Sequence, residues 1–192
     1  MTDRQHDLID AAGRILTRSG VTGLTIKNLA IELGFTEAAI YRHFKSKEDI
    51  IVAMLEHLLE NANDRCKAVM DSGFPPDLAL LELFRSHLRY FKAHPHFVVA
   101  VFSDGLLEGA GPINDTLFKI LGVNRMYLVP ILVKGQQQGV FTTAMSPEQL
   151  VQLVMGSFRM EMFKWRIAQF SYDIESQGDS MLTALLALIS QK

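Results

Sequence analysis

Apolar residues recur along this chain at helical spacing nearly from end to end, and no sustained period-two alternation of the kind a half-buried strand needs appears. Leu8, Ala12, Ile15 and Leu16 form one stripe, predicting a first helix from Asp3 to about Ser19 with Gly20 as its stop. Thr25 reads as the N-cap of a short second helix that ends at Gly34, with Leu24 and Leu29 as its hydrophobic staple. Thr36 caps a third helix, Glu37 to Phe44, stapled by Phe35 and Ile40. Ser46-Lys47-Glu48-Asp49 has the form of a capping box and opens a long fourth helix toward Met70. Its apolar pairs Ile50/Ile51, Met54/Leu55 and Leu58/Leu59 lead on to Ala62 and Cys66.

After a break at residues 71–76, Leu78, Leu81, Phe84, Leu88 and Phe91 predict the apolar face of a fifth helix. A sixth is expected from Pro95 to about Leu106, and Gly109-Ala110-Gly111-Pro112 reads as a loop. A seventh runs from about Asn114 to Gln138, with Pro130 expected to kink it. Ser146-Pro147-Glu148-Gln149 combines a capping box with proline at the first helical position and opens an eighth helix reaching about Phe170. A ninth carries Met181, Leu182, Leu185, Leu186 and Ile189. The expectation is an all-α fold: a three-helix domain over residues 2–62, joined by the long helix to a helical bundle over residues 63–192.

Composition narrows the function classes. Hydrophobic residues are 48% and charged residues 21%, which suits a chain with a sizeable core and excludes a disordered one. The polar start, Met1-Thr2-Asp3-Arg4, does not have the form of a signal peptide, and the densest apolar stretches, 97–102 and 126–133, fall short of a membrane span. The expected location is therefore the cytoplasm, with no membrane partner. Cys66 is the single cysteine, so no intrachain disulfide forms, and its place on an apolar face reads as packing. His87, His94 and His96 invite a metal reading, but Pro95 interrupts their spacing and no Cys is near. They read as ordinary helix-end histidines, and no metal or cofactor is expected. With no glycine-rich phosphate loop, nucleophile elbow or metal-binding helix pair, an enzyme is not expected either.

The net charge of −2 gives no global attraction to nucleic acid, so any such function must rest on where the cations stand. Two short helices joined by the turn Gly34-Phe35-Thr36 fit a helix-turn-helix over residues 25–44, whose second helix enters the major groove. Ile40 and Phe44 anchor that helix inward and leave Glu37, Ala38, Tyr41, Arg42 and His43 outward. An arginine there can pair bidentately with a guanine edge. Arg42, Lys45 and Lys47 cluster within six positions, with Lys27 at the start of the preceding helix.

The stretch Leu8-Ile9-Asp10-Ala11-Ala12, Gly20, Leu24-Thr25-Ile26, Leu29-Ala30, Leu33-Gly34-Phe35-Thr36 and the run from Ala39 to Glu48 resemble the DNA-binding domain of TetR-type transcriptional regulators. The resemblance covers about residues 2–62; beyond it the chain resembles the family in size and helix number, not in motif. It implies double-stranded DNA, in the form of a palindromic operator, as the partner of a homodimer, with repression as the usual mode. By position it implies phosphate contacts from Thr25, Lys27, Thr36, Tyr41, His43 and Lys47, and base contacts from Arg42, Ala38 and Glu37. Glu37 departs from the small or basic residue often found there; it either accepts from a cytosine amine or sits favourably on the helix N-terminus.

Two expectations concern the bundle. The eighth helix is apolar nearly all round, so one side must meet the subunit core and another a partner. With the ninth it is expected to form a twofold four-helix contact through Val154, Phe158, Leu182, Leu185, Leu186 and Ile189. The Pro130 kink is expected to open space for a small, largely apolar effector lined by Met126, Tyr127, Phe158, Met162 and Trp165. The alternative is a bundle that recruits a protein partner in place of a small ligand.

Overall fold

The computed structural model describes residues 2–102 and 111–191. Among these residues the fold is all helical, with nine α-helices and no strand beyond one isolated bridge between Phe141 and Ser190. They are α1 (Asp3–Gly23), α2 (Ile26–Leu33), α3 (Glu37–Tyr41), α4 (Lys47–Asp71), α5 (Pro76–Ala93), α6 (His96–Phe102), α7 (Gly111–Gln137), α8 (Pro147–Ile167) and α9 (Ile174–Ile189).

Several ends differ from the expected ones for identifiable reasons. Gly20 does leave helical geometry, at φ 64° and ψ −167°, but helical turns resume behind it to Gly23. α3 stops at Tyr41, and a tight turn follows in which the His43 N–H returns to the Ile40 carbonyl at 2.9 Å. Gly111 and Pro112 lie within α7, where a loop was expected. α8 ends at Ile167 because Gln169 and Phe170 take positive φ, 52° and 59°. The expected residues 103–106 of the sixth helix, and Gly109 and Ala110 of the loop, lie outside the described residues.

The chain forms two compact units that interleave along the sequence instead of dividing at one boundary: Met1–Leu59 with His94–Lys119, and Glu60–Ala93 with Ile120–Lys192. In the first, Leu8, Ala12, Ile15, Leu16, Leu24, Leu29 and Ile40 make the core under α1, α2 and α3. α6 packs on α1 where Gly13 leaves room: a Cβ there would meet the His96 ring at 2.9 Å. Arg14 and Arg18 of α1 both reach Glu32 of α2, at 3.0 and 3.1 Å, and hold its carboxylate below the usual range.

The second unit buries Ala79, Leu80, Leu83, Phe84, His87, Leu88 and Phe91 of α5, while Leu78 and Leu81 are only half-buried. The buried face is thus turned from the expected one, and it contains a histidine. α9 lies against α5 at Gly178, where a Cβ would meet both Leu88 methyl carbons at 2.5 Å. Ion pairs from Arg85 to Asp179 and from Lys92 to Asp173 and Glu175 tie the same two helices together. α8 starts with the expected capping box: the Ser146 hydroxyl accepts from Gln149 N–H and the Gln149 side chain accepts from Ser146 N–H. α7 is long and apolar enough in composition to cross a membrane, although Ile113, Leu117, Ile120, Leu128, Ile131 and Leu132 are buried in the protein itself. Cys66 is buried as expected, and its thiol is pushed up to about 11 by burial.

Candidate nucleic-acid interface

The turn between α2 and α3 is set by backbone chemistry. Gly34 sits at φ 65°, a left-handed position, and ends α2. The N–H groups of Gly34 and Phe35 return to the carbonyls of Ile31, at 3.3 Å, and Ala30, at 2.9 Å. Thr36 then caps α3 by accepting from Ala39 N–H at 3.2 Å, just as Thr25 caps α2 by accepting from Asn28 N–H at 3.0 Å. Each hydroxyl uses an oxygen lone pair for the cap and keeps its proton for an acceptor outside the protein. Ile40 and Phe44 are buried and fix the roll of α3.

This roll leaves Glu37, Ala38, Tyr41, Arg42 and His43 exposed on one side, with Thr25, Lys27 and Thr36 exposed beside the two helix starts. Among the described residues, none of Lys27, Arg42 and Lys45 is engaged in an ion pair, so this surface presents unspent cations and helix N-termini. Lys47, an expected phosphate contact, is half-buried. Its ammonium turns inward and donates to the Val21 carbonyl at 2.8 Å, capping the end of α1, and desolvation lowers its pKa. α4 is opened instead by Ser46, which accepts from Asp49 N–H at 3.1 Å, and by Asp49, whose carboxylate accepts from Lys45 N–H at 3.0 Å.

The bundle residues fall otherwise than expected. Val154, Phe158, Leu182, Leu185 and Ile189 are buried within the protomer itself, and Leu186 is half-buried. These five present little surface outside the protomer. What α8 and α9 leave uncovered is a different stripe: Met160 (57% exposed), Phe163 (44%) and Ile167 (67%) on α8, and Leu188 (69%) on α9. The apolar residues of α8 thus divide between a face buried in the protomer and an exposed one.

The expected effector lining also divides. Phe158, Met162 and Trp165 are buried, and Tyr127 is half-buried with its hydroxyl donating to Asn63 Oδ1 at 2.9 Å. Met126 is 55% exposed and Pro130, one turn on, is exposed as well, so the Met126 side chain lines no interior space. Trp165 is held by its own fold: its indole N–H donates to the Tyr172 carbonyl at 2.9 Å and its ring meets Phe170 edge-on. A cleft of about 290 Å³ between α5 and α9 is lined by Arg85, Leu88, Arg89, Asp173, Glu175, Ser176 and Asp179.

One constellation escaped the sequence reading. Within the second unit, the half-buried Arg65 of α4 and the buried His87 of α5 and Asn124 of α7 form a hydrogen-bonded chain. Asn124 donates from its amide nitrogen to the Ile120 carbonyl at 2.9 Å, so its Oδ1 accepts from His87 Nε2 at 2.8 Å. His87 Nδ1 is then the acceptor for Arg65 Nη2 at 3.2 Å. Burial foremost, with the Arg65 charge next, pushes the imidazole down to about 4, so it is neutral at pH 7. The available signal was positional: His87 sits between Phe84 and Phe91 on the apolar stripe of α5, and Arg65 adjoins Cys66 on α4. Among the described residues no group of His, Cys, Asp and Glu suited to hold a metal occurs.

Comparison with known proteins places this geometry. Residues 8–54 match the family model described as "Bacterial regulatory proteins, tetR family". The chain is similar to an uncharacterized HTH-type transcriptional regulator, YerO, of Bacillus subtilis, with 24% identity over 69% of this chain and 47% of that one. It is similar to the HTH-type transcriptional repressor NicS of Pseudomonas putida, with 29% identity over 72% of this chain and 66% of that one. The chain thus spans between about half and two thirds of the length of these two relatives. In fold it is similar to the transcriptional regulator FadR from Bacillus subtilis in complex with stearoyl-CoA, at a TM-score of 0.82 and 20% identity over 96% of this chain and 98% of that one. Residues 8–54, which carry the helix-turn-helix and its exposed α3 surface, are thus a DNA-binding domain of the type described by the tetR family of bacterial regulatory proteins.

Proposed function

We propose that this protein is a cytoplasmic, effector-responsive transcriptional repressor that binds a palindromic operator as a homodimer. The observation that carries the DNA reading is the roll of α3: Ile40 and Phe44 are buried, and Arg42 stands exposed beside capped helix N-termini. In this reading Arg42 pairs with a base edge, with Glu37 and Ala38 alongside it. Thr25, Lys27, Thr36, Tyr41 and His43 hold phosphates, and Lys47 supports them from behind by fixing the end of α1. Arg42→Ala is expected to weaken specific binding by roughly 1–3 kcal/mol and to relax preference at one base pair per half-site. Lys27→Ala is expected to weaken binding to all sequences alike and to reduce the salt slope by about one per subunit. Mobility-shift titrations at several salt concentrations separate the two; equal behaviour of both variants and the wild type contradicts the role of this surface.

The homodimer reading rests on Met160, Phe163 and Ile167, which recur at helical spacing on the outer face of α8, with Leu188 on α9. An apolar surface of this kind is costly in water, and α3 by itself offers too few contacts for a specific site. A second copy covers the one and doubles the other, with half-sites one helical turn apart, about 34–36 Å, or a multiple of that. The effector is placed in the second unit, among the buried aromatic residues around Phe158, and the continuous α4, which begins at Lys47 beside the helix-turn-helix and ends at Asp71, is the element that transmits its binding. The solved FadR structure was determined with stearoyl-CoA bound, which supports a largely apolar effector for this chain too.

A further inference from the structure

A buried arginine normally has a carboxylate beside it, because an uncompensated charge in a low-dielectric interior costs several kcal/mol. Arg65 does not follow this rule. Its Nε and Nη1 atoms are buried and meet no hydrogen-bond acceptor. Among the described residues its guanidinium forms no ion pair; its neighbours are the Tyr90 ring, 4.0 Å below the guanidinium carbon, and the neutral His87, which takes one hydrogen bond from Nη2. Desolvation lowers the arginine's pKa, but an arginine keeps its proton, so the charge stays. One helical turn earlier on the same face of α4, the side-chain oxygen of Asn61 is likewise buried without a partner. His87 cannot relieve the charge, since Asn124 fixes its tautomer as an acceptor toward Arg65. On the other side of His87 stand the Phe84 and Phe158 rings, 6.1 and 6.0 Å from the imidazole, with Phe91 6.1 Å from Phe158.

We propose that Arg65 is the counter-charge for the effector, which therefore carries an anionic group, a carboxylate or a phosphate, on an apolar body. Nε and Nη1 of Arg65 donate to the anion, Asn61 accepts from a donor next to it, and the aromatic residues around Phe158 receive the apolar part. His87 and Asn124 are positioning residues that hold the guanidinium by its Nη2 side. This inference rests on the effector reading above and narrows it to organic anions.

The test is calorimetric titration of the full chain with decanoate, decanoyl-CoA and methyl decanoate, which share an alkyl body and differ in charge. At least one of the two anions is expected to bind the wild type at least about tenfold more tightly than the ester. Binding by decanoate marks the carboxylate as the recognised group; binding by decanoyl-CoA alone marks the phosphates. Arg65→Met is expected to bind anion and ester equally, and Arg65→Lys, which keeps the charge, to retain part of the preference. Should Arg65→Met fail to fold, the wild-type preference and the Arg65→Lys variant still decide. Equal binding of ester and anions by the wild type, an undiminished preference in Arg65→Met, or no binding of any of the three overturns the inference. The broader reading fails separately: it falls if no compound in a panel that includes neutral metabolites changes affinity for DNA, and it survives the loss of the anion claim if a neutral compound does.

Discussion

Phe163→Glu combined with Ile167→Glu is expected to turn the protein into a folded monomer at micromolar concentration and to remove specific DNA binding. Both side chains are exposed in the protomer, at 44% and 67%, so the substitutions cost the subunit fold little. In a twofold contact each would place two carboxylates in an apolar interface, and each buried unpaired charge costs about 2 kcal/mol or more. Association should weaken by at least about three orders of magnitude. A monomer presents one α3 to one half-site, and its affinity should fall toward the non-specific level. Light scattering reads the first effect and a mobility shift the second. Leu185→Glu and Ile189→Glu make the contrast: they charge positions enclosed within the protomer and are expected to unfold it. A double variant that remains dimeric contradicts the assignment of this face.

Acid should destabilise the protein well before its carboxylates protonate. His87 has its folded pKa lowered from 6.5 to about 4, chiefly by burial. The unfolded chain therefore takes up this proton first, and stability falls as pH drops through the window from 6.5 to 4, levelling off below it. At pH 4.5 the loss from this residue is about 2–3 kcal/mol, or roughly 5–10 °C in Tm for a chain of this size. His96, pushed down to about 4 by burial and by the neighbouring His94, acts in the same window in the other unit. The lowered carboxylates Glu32, Asp173 and Asp179 act at lower pH, since their stabilisation is lost only as pH falls through their depressed values. Melting curves from pH 7.5 to pH 4.5 test this. The wild type should lose more than His87→Gln over that range, whatever the variant's stability at pH 7.5, and parallel curves contradict a buried neutral His87.

Much of this was legible in the residue pattern because local chemistry sets it. Thr25, Gly34, Thr36 and Ser146 act within a few residues of themselves, and each caps or turns as its type requires. The outward face of α3 followed from Ile40 and Phe44, four positions apart and both buried. What the pattern left open was the roll of the long apolar helices. On α8 almost every position is apolar, so periodicity does not say which side meets the subunit's own core, and tertiary packing alone buries Phe158 and leaves Phe163 exposed. Lys47 was unreadable for a similar reason: its acceptor, the Val21 carbonyl, is 26 residues away. Pro130 was legible as a proline inside a helix, but not the side of α7 on which it stands, which is the exposed one. The polar chain of Arg65, His87 and Asn124 joins three helices, and only their packing brings it together.

The central claim is that α3 reads DNA from a twofold dimer, and selection of bound sequences from a random duplex pool by the purified full chain tests it most directly. The expected product is an inverted repeat whose half-sites lie about one helical turn, or a multiple of it, apart, with a guanine in each half that Arg42→Ala no longer selects. Enrichment of no sequence, or of a single asymmetric site that Arg42→Ala selects as well as the wild type does, would contradict it.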